Sequence, residues 1–151
     1  MPVTKNKYYP TQLSDITSRL FTNCQEKEAR HVAKYGVSIV EFRSMRILYQ
    51  YKKLTVNQLA QKMSLTSSRI TRIIDGLVNK QIVIRTTGEK DRRVFYLSLT
   101  PKGEKLANDL IQDHNRIHEE ILNNIPVESH QSMIEILKQL NKAVEVWLEE
   151  E

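Results

Sequence analysis

Apolar residues recur at helical spacing along most of this chain. Leu13, Ile16, Leu20 and Cys24 fall on one face of a segment running from Thr11 to about Tyr35, where Gly36 supplies a helix stop. Ser38 followed by Glu41 has the capping-box pattern, in which the Ser side chain accepts from an orphan amide and the Glu reaches back. A second helix is therefore expected from Ile39 to about Tyr51. Thr55 and Gln58 repeat the device ahead of a short third helix through about Met63. The polar break Ser64-Leu65-Thr66 precedes a fourth helix from about Ser67 to Asn79.

The pattern then changes. Ile82-Val83-Ile84-Arg85-Thr86 is β-branched and extended, Val94-Phe95-Tyr96-Leu97-Ser98-Leu99 is a second strand-like run, and the residues between are polar with one glycine. This predicts a hairpin with a charged tip. Thr100-Pro101 places a capping residue before a proline at the first helical position, starting a long helix that carries Leu106, Leu110, Ile117 and Ile121 on one face. Pro126 breaks it, and a last helix shows Met133, Leu137, Leu140, Val144 and Trp147 at the same period. The order is four helices, a hairpin and two helices: mainly α with a small β-hairpin. Apolar stripes on the first, fifth and sixth helices exceed what one small core can cover, which predicts a homodimer.

Composition narrows the function classes. Hydrophobic residues make up 40% and charged residues 27% of 151, as in a globular protein, and the four glycines and four prolines leave room for few long loops. The single cysteine excludes an internal disulfide. No apolar run follows Lys5 and Lys7, and no stretch approaches the roughly 20 apolar residues of a spanning helix, so a soluble, cytoplasmic protein without membrane contact is expected. The net charge of +5 is unevenly spread: Lys52 to Lys105 holds 12 basic and 4 acidic residues, the remainder 11 and 14. A basic middle between acidic flanks points to a polyanion partner for the middle.

The third and fourth helices and the tight break between them form a helix-turn-helix, with Leu59, Ala60, Leu65, Ile70, Ile73, Ile74 and Leu77 on the buried side. The other face of the fourth helix carries Ser67, Ser68, Arg69, Thr71 and Arg72: hydroxyls for phosphates or base edges, and guanidinium forks for guanine. On the hairpin tip Lys90, Arg92 and Arg93 extend from the body of the fold, where an arginine can enter a narrow minor groove. Asp91 would repel phosphates and reads instead as an internal brace that pairs with an arginine.

Leu54-Thr55-Val56-Asn57-Gln58-Leu59-Ala60, then Ile70-Thr71-Arg72-Ile73-Ile74-Asp75-Gly76-Leu77, then Asp91-Arg92-Arg93, then Leu99-Thr100-Pro101-Lys102-Gly103 resembles the signature of the MarR family in its usual order. The resemblance implies a winged helix-turn-helix with N- and C-terminal dimerisation helices, divided as 1–37, 38–100 and 101–151. It implies a homodimeric transcriptional regulator, a repressor, that binds a near-palindromic duplex, with the fourth helix in the major groove and Arg93 in the minor groove. It also implies a cleft for a small-molecule effector such as an aromatic acid, near which Arg43, Arg46, Tyr49 and Tyr51 are available. Two departures stand out: Asn79-Lys80-Gln81 where relatives commonly place a glycine after the recognition helix, and Ile125-Pro126-Val127 without the usual Ser or Thr cap.

Other residues invite competing readings. Cys24 falls in step with Leu13, Ile16 and Leu20, which favours a small buried hydrophobe over a redox sensor. His114 and His118, four apart, could chelate zinc with Cys24 or His31 brought close in a dimer, but nothing in the sequence supplies a third ligand. No metal, cofactor or catalytic residue is therefore assigned. Gly88 is isolated and no nucleophile-elbow or metal-hydrolase motif is present, so an enzyme is not expected. A winged helix serving only as a protein-interaction module is the remaining alternative, disfavoured by basic groups on both the second helix of the motif and the wing.

Overall fold

The computed structural model describes residues 8–88 and 93–150. By its contacts the chain forms two compact units, Met1–Ile111 and Gln112–Glu151. In the first unit α1 (Tyr8–Ala33) leads to α2 (Ile39–Tyr51), β1 (Leu54–Thr55), α3 (Val56–Met63), α4 (Ser67–Asn79), β2 (Val83–Thr87) and β3 (Phe95–Leu99). A further helix, α5 (Pro101–Leu122), starts in this unit and ends in the second, where a 3-10 turn at Val127–Ser129 leads into α6 (His130–Glu149).

Local chemistry sets the helix starts. Ser38 accepts from the Glu41 amide while Glu41 Oε2 accepts from the Ser38 amide at 2.7 Å, and Thr55 with Gln58 forms a second complete capping box. Gly36, at φ +68, makes the turn between α1 and α2. The three strands form one antiparallel sheet in the order β1-β3-β2, with Leu54 opposite Leu97 and Val83 opposite Leu99. The sequence predicts only the β2–β3 hairpin; β1 is too short for any alternation to mark it, and its pairing with β3 is what makes it a strand.

The core of the first unit is the inner faces of α2, α3 and α4 closed by the sheet. Phe42, Met45, Leu48, Leu59, Ile70, Ile74, Leu77 and Leu97 are fully buried. Each such side chain contributes about 1.5–3 kcal/mol through loss of apolar surface from water. Ala60, 4% exposed, keeps α3 and α4 close together.

The missing glycine after α4 has a direct structural answer. The Ile82 amide donates to Leu77 O and the Gln81 amide to Val78 O, both at 2.9 Å, and Gln81 itself takes the left-handed conformation at φ +59. This is a Schellman ending with a glutamine in the seat that glycine usually fills. At the start of α5, Thr100 Oγ1 accepts from the Gly103 amide at 2.9 Å and donates to Gln81 O at 2.7 Å. Gly103 has no such freedom of choice: a Cβ there would sit 2.1 Å from Ile82 O.

An ion pair fixes the far end of α4. Lys80 Nζ donates to both Glu41 carboxylate oxygens, at 2.9 and 2.8 Å, and to Gly36 O at 3.1 Å. Burial pushes the Glu41 carboxyl up, but the Lys80 ammonium and the Ser38 amide outweigh it and hold the pKa below its ordinary value. α1 buries only His31 and Val32, and His31 packs edge-on against the rings of Tyr35 and Phe42.

In the second unit the helix α6 starts without a side-chain cap on Ser129. His130 Nε2 instead lies 3.1 Å from Leu122 O and 2.9 Å from Ile125 O, so a protonated Nε2 satisfies carbonyls where α5 ends. Ile134, Ile136, Leu137, Val144 and Trp147 are exposed on α6 in the single chain. Among the described residues no helix is long and apolar enough to cross a membrane.

Gly103→Ala should cost several kcal/mol, roughly 3 or more, because neither backbone can retreat, whereas Gln81→Gly should stabilise by about 0.5–1 kcal/mol by removing left-handed strain; chemical unfolding measures both. Lys80→Met should destabilise by about 1–2 kcal/mol at pH 7 and progressively less as Glu41 is protonated. The sign follows from a depressed carboxylate pKa: the stabilisation is complete above the ordinary carboxylate value and is lost as pH falls from there through the lowered value in the folded protein. Unfolding curves for wild type and variant should converge over that window.

Candidate nucleic-acid interface

α4 has two faces with different tasks. Ile70, Ile74 and Leu77 are buried on one, and Ser67, Ser68, Arg69, Thr71 and Arg72 are exposed on the other. Thr66 caps the helix by accepting from the Arg69 amide at 3.4 Å. Arg69 and Arg72, three apart, project from neighbouring positions of the outward face. The N-terminal ends of α3 and α4 meet there, where Ser67 Oγ donates to Asn57 Oδ1 at 2.7 Å.

The wing strands are attached to this helix by a pair that the sequence reading did not identify. Asp75, on the outer flank of α4, accepts from Arg85 on β2 at 2.6 Å, with both side chains partly exposed. A charged residue on a helix and another ten positions later on a strand give no periodic signal, so only the fold brings them together. The hairpin narrows through the Gly88 amide, which donates to Val94 O at 2.8 Å. Arg93 follows in an exposed turn on the β3 side. Lys90, Asp91 and Arg92 lie outside the described residues, and so does the proposed brace role of Asp91.

The residues considered for an effector cleft each have a partner within the single chain. Arg43 is engaged by Glu28 of α1, with Nε donating to Oε1 at 3.1 Å, and this carboxylate raises the arginine pKa above its ordinary value. Arg46 lies over the Phe42 ring at 5.8 Å. Tyr49 donates to Asn108 of α5 at 3.3 Å, whereas Tyr51 stacks under Lys62 of α3 at 3.7 Å. Two positions apart on a helix, the two tyrosines project to nearly opposite sides. A groove of about 370 Å³ is lined by Asn23, Glu26, Lys27 and Arg30, and one of about 500 Å³ by Leu54, Gln58, Gln61 and Lys62; neither includes Arg43, Arg46 or Tyr49.

Cys24 corrects an expectation. It is exposed in the single chain, as are Leu13, Ile16 and Leu20 at 48–54%. The stripe that puts these residues in step is real, but α1 turns only its C-terminal end toward the core of its own unit. His114 and His118 stand with ring centroids 4.4 Å apart, His118 Nδ1 lying 2.8 Å from His114 O. Among the described residues no group of three or more potential ligands is placed to hold a metal ion.

Comparison with known proteins agrees with this geometry. The model of the MarR family matches residues 37–95, the span from the turn before α2 to the start of β3. The HTH-type transcriptional regulator MhqR of Bacillus subtilis is 30% identical over 125 residues, covering 83% of this chain and 86% of that protein. The HTH-type transcriptional repressor MdtR of the same organism is 28% identical over 136 residues, with 88% of each chain covered. Among solved structures, Streptococcus pneumoniae FabT in complex with DNA superposes with a TM-score of 0.80 at 23% identity, covering 91% of this chain and 98% of that one. With the helix-turn-helix and the three-stranded wing sheet described above, the chain belongs to the MarR family of winged helix-turn-helix transcriptional regulators.

Proposed function

We propose that this protein is a homodimeric regulator that binds a near-palindromic duplex through α4 and the wing, acts as a repressor, and changes its DNA affinity when a small aromatic acid binds. The observation that carries the DNA-binding part is the outward face of α4, where Arg69 and Arg72 stand beside three hydroxyl residues while the opposite face is buried in the core. A helix held this rigidly on one side can enter a major groove without losing its shape. The DNA-bound FabT relative and the repressor name of MdtR support the same reading. In this scheme residues 38–100 contact DNA, while 1–37 and 101–151 supply the dimer. The support for the dimer is apolar: Leu13, Ile16, Leu20 and Phe21 on α1, and Ile134, Leu137, Val144 and Trp147 on α6, are exposed in the single chain. A two-fold dimer would cover such stripes and space two recognition helices about 34 Å apart.

Oxidation of the Cys24 thiol, exposed in the single chain, is a second way of modulating the same fold where the dimer leaves that part of the α1 stripe open. Titrating the DNA complex with benzoate and with hydrogen peroxide separates the two. Release by benzoate in wild type and Cys24→Ser alike supports the aromatic-acid reading; release by peroxide alone, lost in Cys24→Ser, supports the thiol.

Selection from random duplexes should enrich a near-palindrome, and the absence of any enriched sequence would overturn the proposal. On the selected site, Arg93→Ala should weaken binding to all duplexes and lower the salt slope by about one, with little change in base preference. Alanine at whichever of Arg69 and Arg72 reads a base should cost about 1–3 kcal/mol and relax choice at one position. Leu20→Asp and Leu137→Asp alter exposed positions, so sedimentation should show folded monomers that have lost tight DNA binding.

A further inference from the structure

The hydroxyls on the outward face of α4 are not interchangeable, because each has one proton and several of those protons are already placed. Ser67 Oγ donates to Asn57 Oδ1 at 2.7 Å. That separation is usual for O–H···O and short for N–H···O, which puts the amide oxygen of Asn57, rather than its nitrogen, against the hydroxyl. Thr71 Oγ1 donates back into its own helix, to Ser67 O at 2.9 Å. Ser67 and Thr71 therefore face outward with lone pairs only. A group that can only accept is repelled by phosphate oxygens, but in a major groove it matches the exocyclic amino groups of adenine and cytosine. Asn57 has the opposite character. It is exposed near the start of α3, and no acceptor for its amide nitrogen is found among the described residues, so two N–H donors remain on an exposed side chain.

We propose that Asn57 belongs to the DNA interface: its amide nitrogen donates to a backbone phosphate, and its oxygen, by taking the Ser67 proton, makes Ser67 an acceptor that selects an adenine or cytosine amino group. This rests on the reading of α4 as the helix that enters the major groove. A helix with its side chains is about 10–12 Å across and fills a groove about 12 Å wide. A residue of the adjoining helix that touches the first residue of α4 then stands at the groove wall, where the phosphates are. Arg69 and Arg72 carry charge and release counterions when they meet phosphates; Asn57 is neutral and fixes register without doing so. One side chain thus links the position of the backbone to the identity of a base.

The test measures binding to the selected duplex, and to duplexes with every base pair changed in turn, by fluorescence anisotropy for wild type, Asn57→Ala, Asn57→Asp and Ser67→Ala. Thermal unfolding establishes that each variant is folded. Asn57→Ala should weaken binding about five- to ten-fold on all duplexes, leave the salt slope unchanged, and relax preference at one base position. Ser67→Ala should relax preference at that same position. Asn57→Asp keeps an oxygen for the Ser67 proton, so preference there should persist, while overall affinity falls further than in the alanine variant because a carboxylate faces the phosphate. Binding by both Asn57 variants within about two-fold of wild type overturns the inference, and so does relaxation by Asn57→Ala and Ser67→Ala at different positions. Failure of the wild-type chain to bind any duplex would instead overturn the reading beneath it.

Discussion

The position of α4 depends on three consecutive carbonyls at its exit. Lys80 O accepts from Lys102 Nζ at 2.9 Å, Gln81 O from Thr100 Oγ1 at 2.7 Å, and Ile82 O from the Thr100 amide at 3.0 Å. All three donors sit at the start of α5, and the approach is so close that only a glycine fits at position 103. Ile82 is buried, so its carbonyl must be matched inside the protein, and this short exit cannot shift without losing several bonds together. The end of α4, the first residue before β2 and the first turn of α5 are in effect one junction.

From that junction the constraint spreads to the candidate interface. Lys80, the C-cap of α4, also reaches Glu41 and Gly36, so the turn between α1 and α2 is tied to the same helix end. Asp75 and Arg85 tie the flank of α4 to the wing strand that leaves the junction. The N-terminal end of α4, by contrast, is held by Thr66 and by the Asn57–Ser67 contact, which are exposed polar bonds. The helix is thus fixed firmly at the end away from its hydroxyls and lightly at the end that carries them. That distribution suits the proposed entry of α4 into a groove: its axis is set by the core, while the groups at its tip are held by exposed polar bonds alone.

Local chemistry made most of the helices legible in advance. Both capping boxes lie within four residues of chain and set the starts of α2 and α3 wherever the rest of the protein goes. Thr100-Pro101 does the same for α5, and Gly36 for the turn after α1. The missing glycine after α4 shows where such reading stops. The sequence marks a departure at Asn79-Lys80-Gln81, but only the packing of Ile82 and Leu77 in the core explains why Gln81 accepts a left-handed backbone to close the helix.

What the amino-acid order determined by itself was the set of helices, the β2–β3 hairpin and the sidedness of α4, because all rest on local periodicity, capping and turn chemistry. It could not establish β1, which is two residues long and exists through its partner Leu97 and Tyr96 on β3. Nor could it show that Tyr49 and Tyr51 face α5 and α3 respectively, that Cys24 stands exposed on an apolar stripe, or that Asp75 meets Arg85 and Asn57 meets Ser67. Those pairings join residues on different elements, at separations no local periodicity encodes. They are decided only when the helices and sheet close on a common core, since burying Phe42, Leu59, Ile74 and Leu97 together fixes which polar flanks lie side by side.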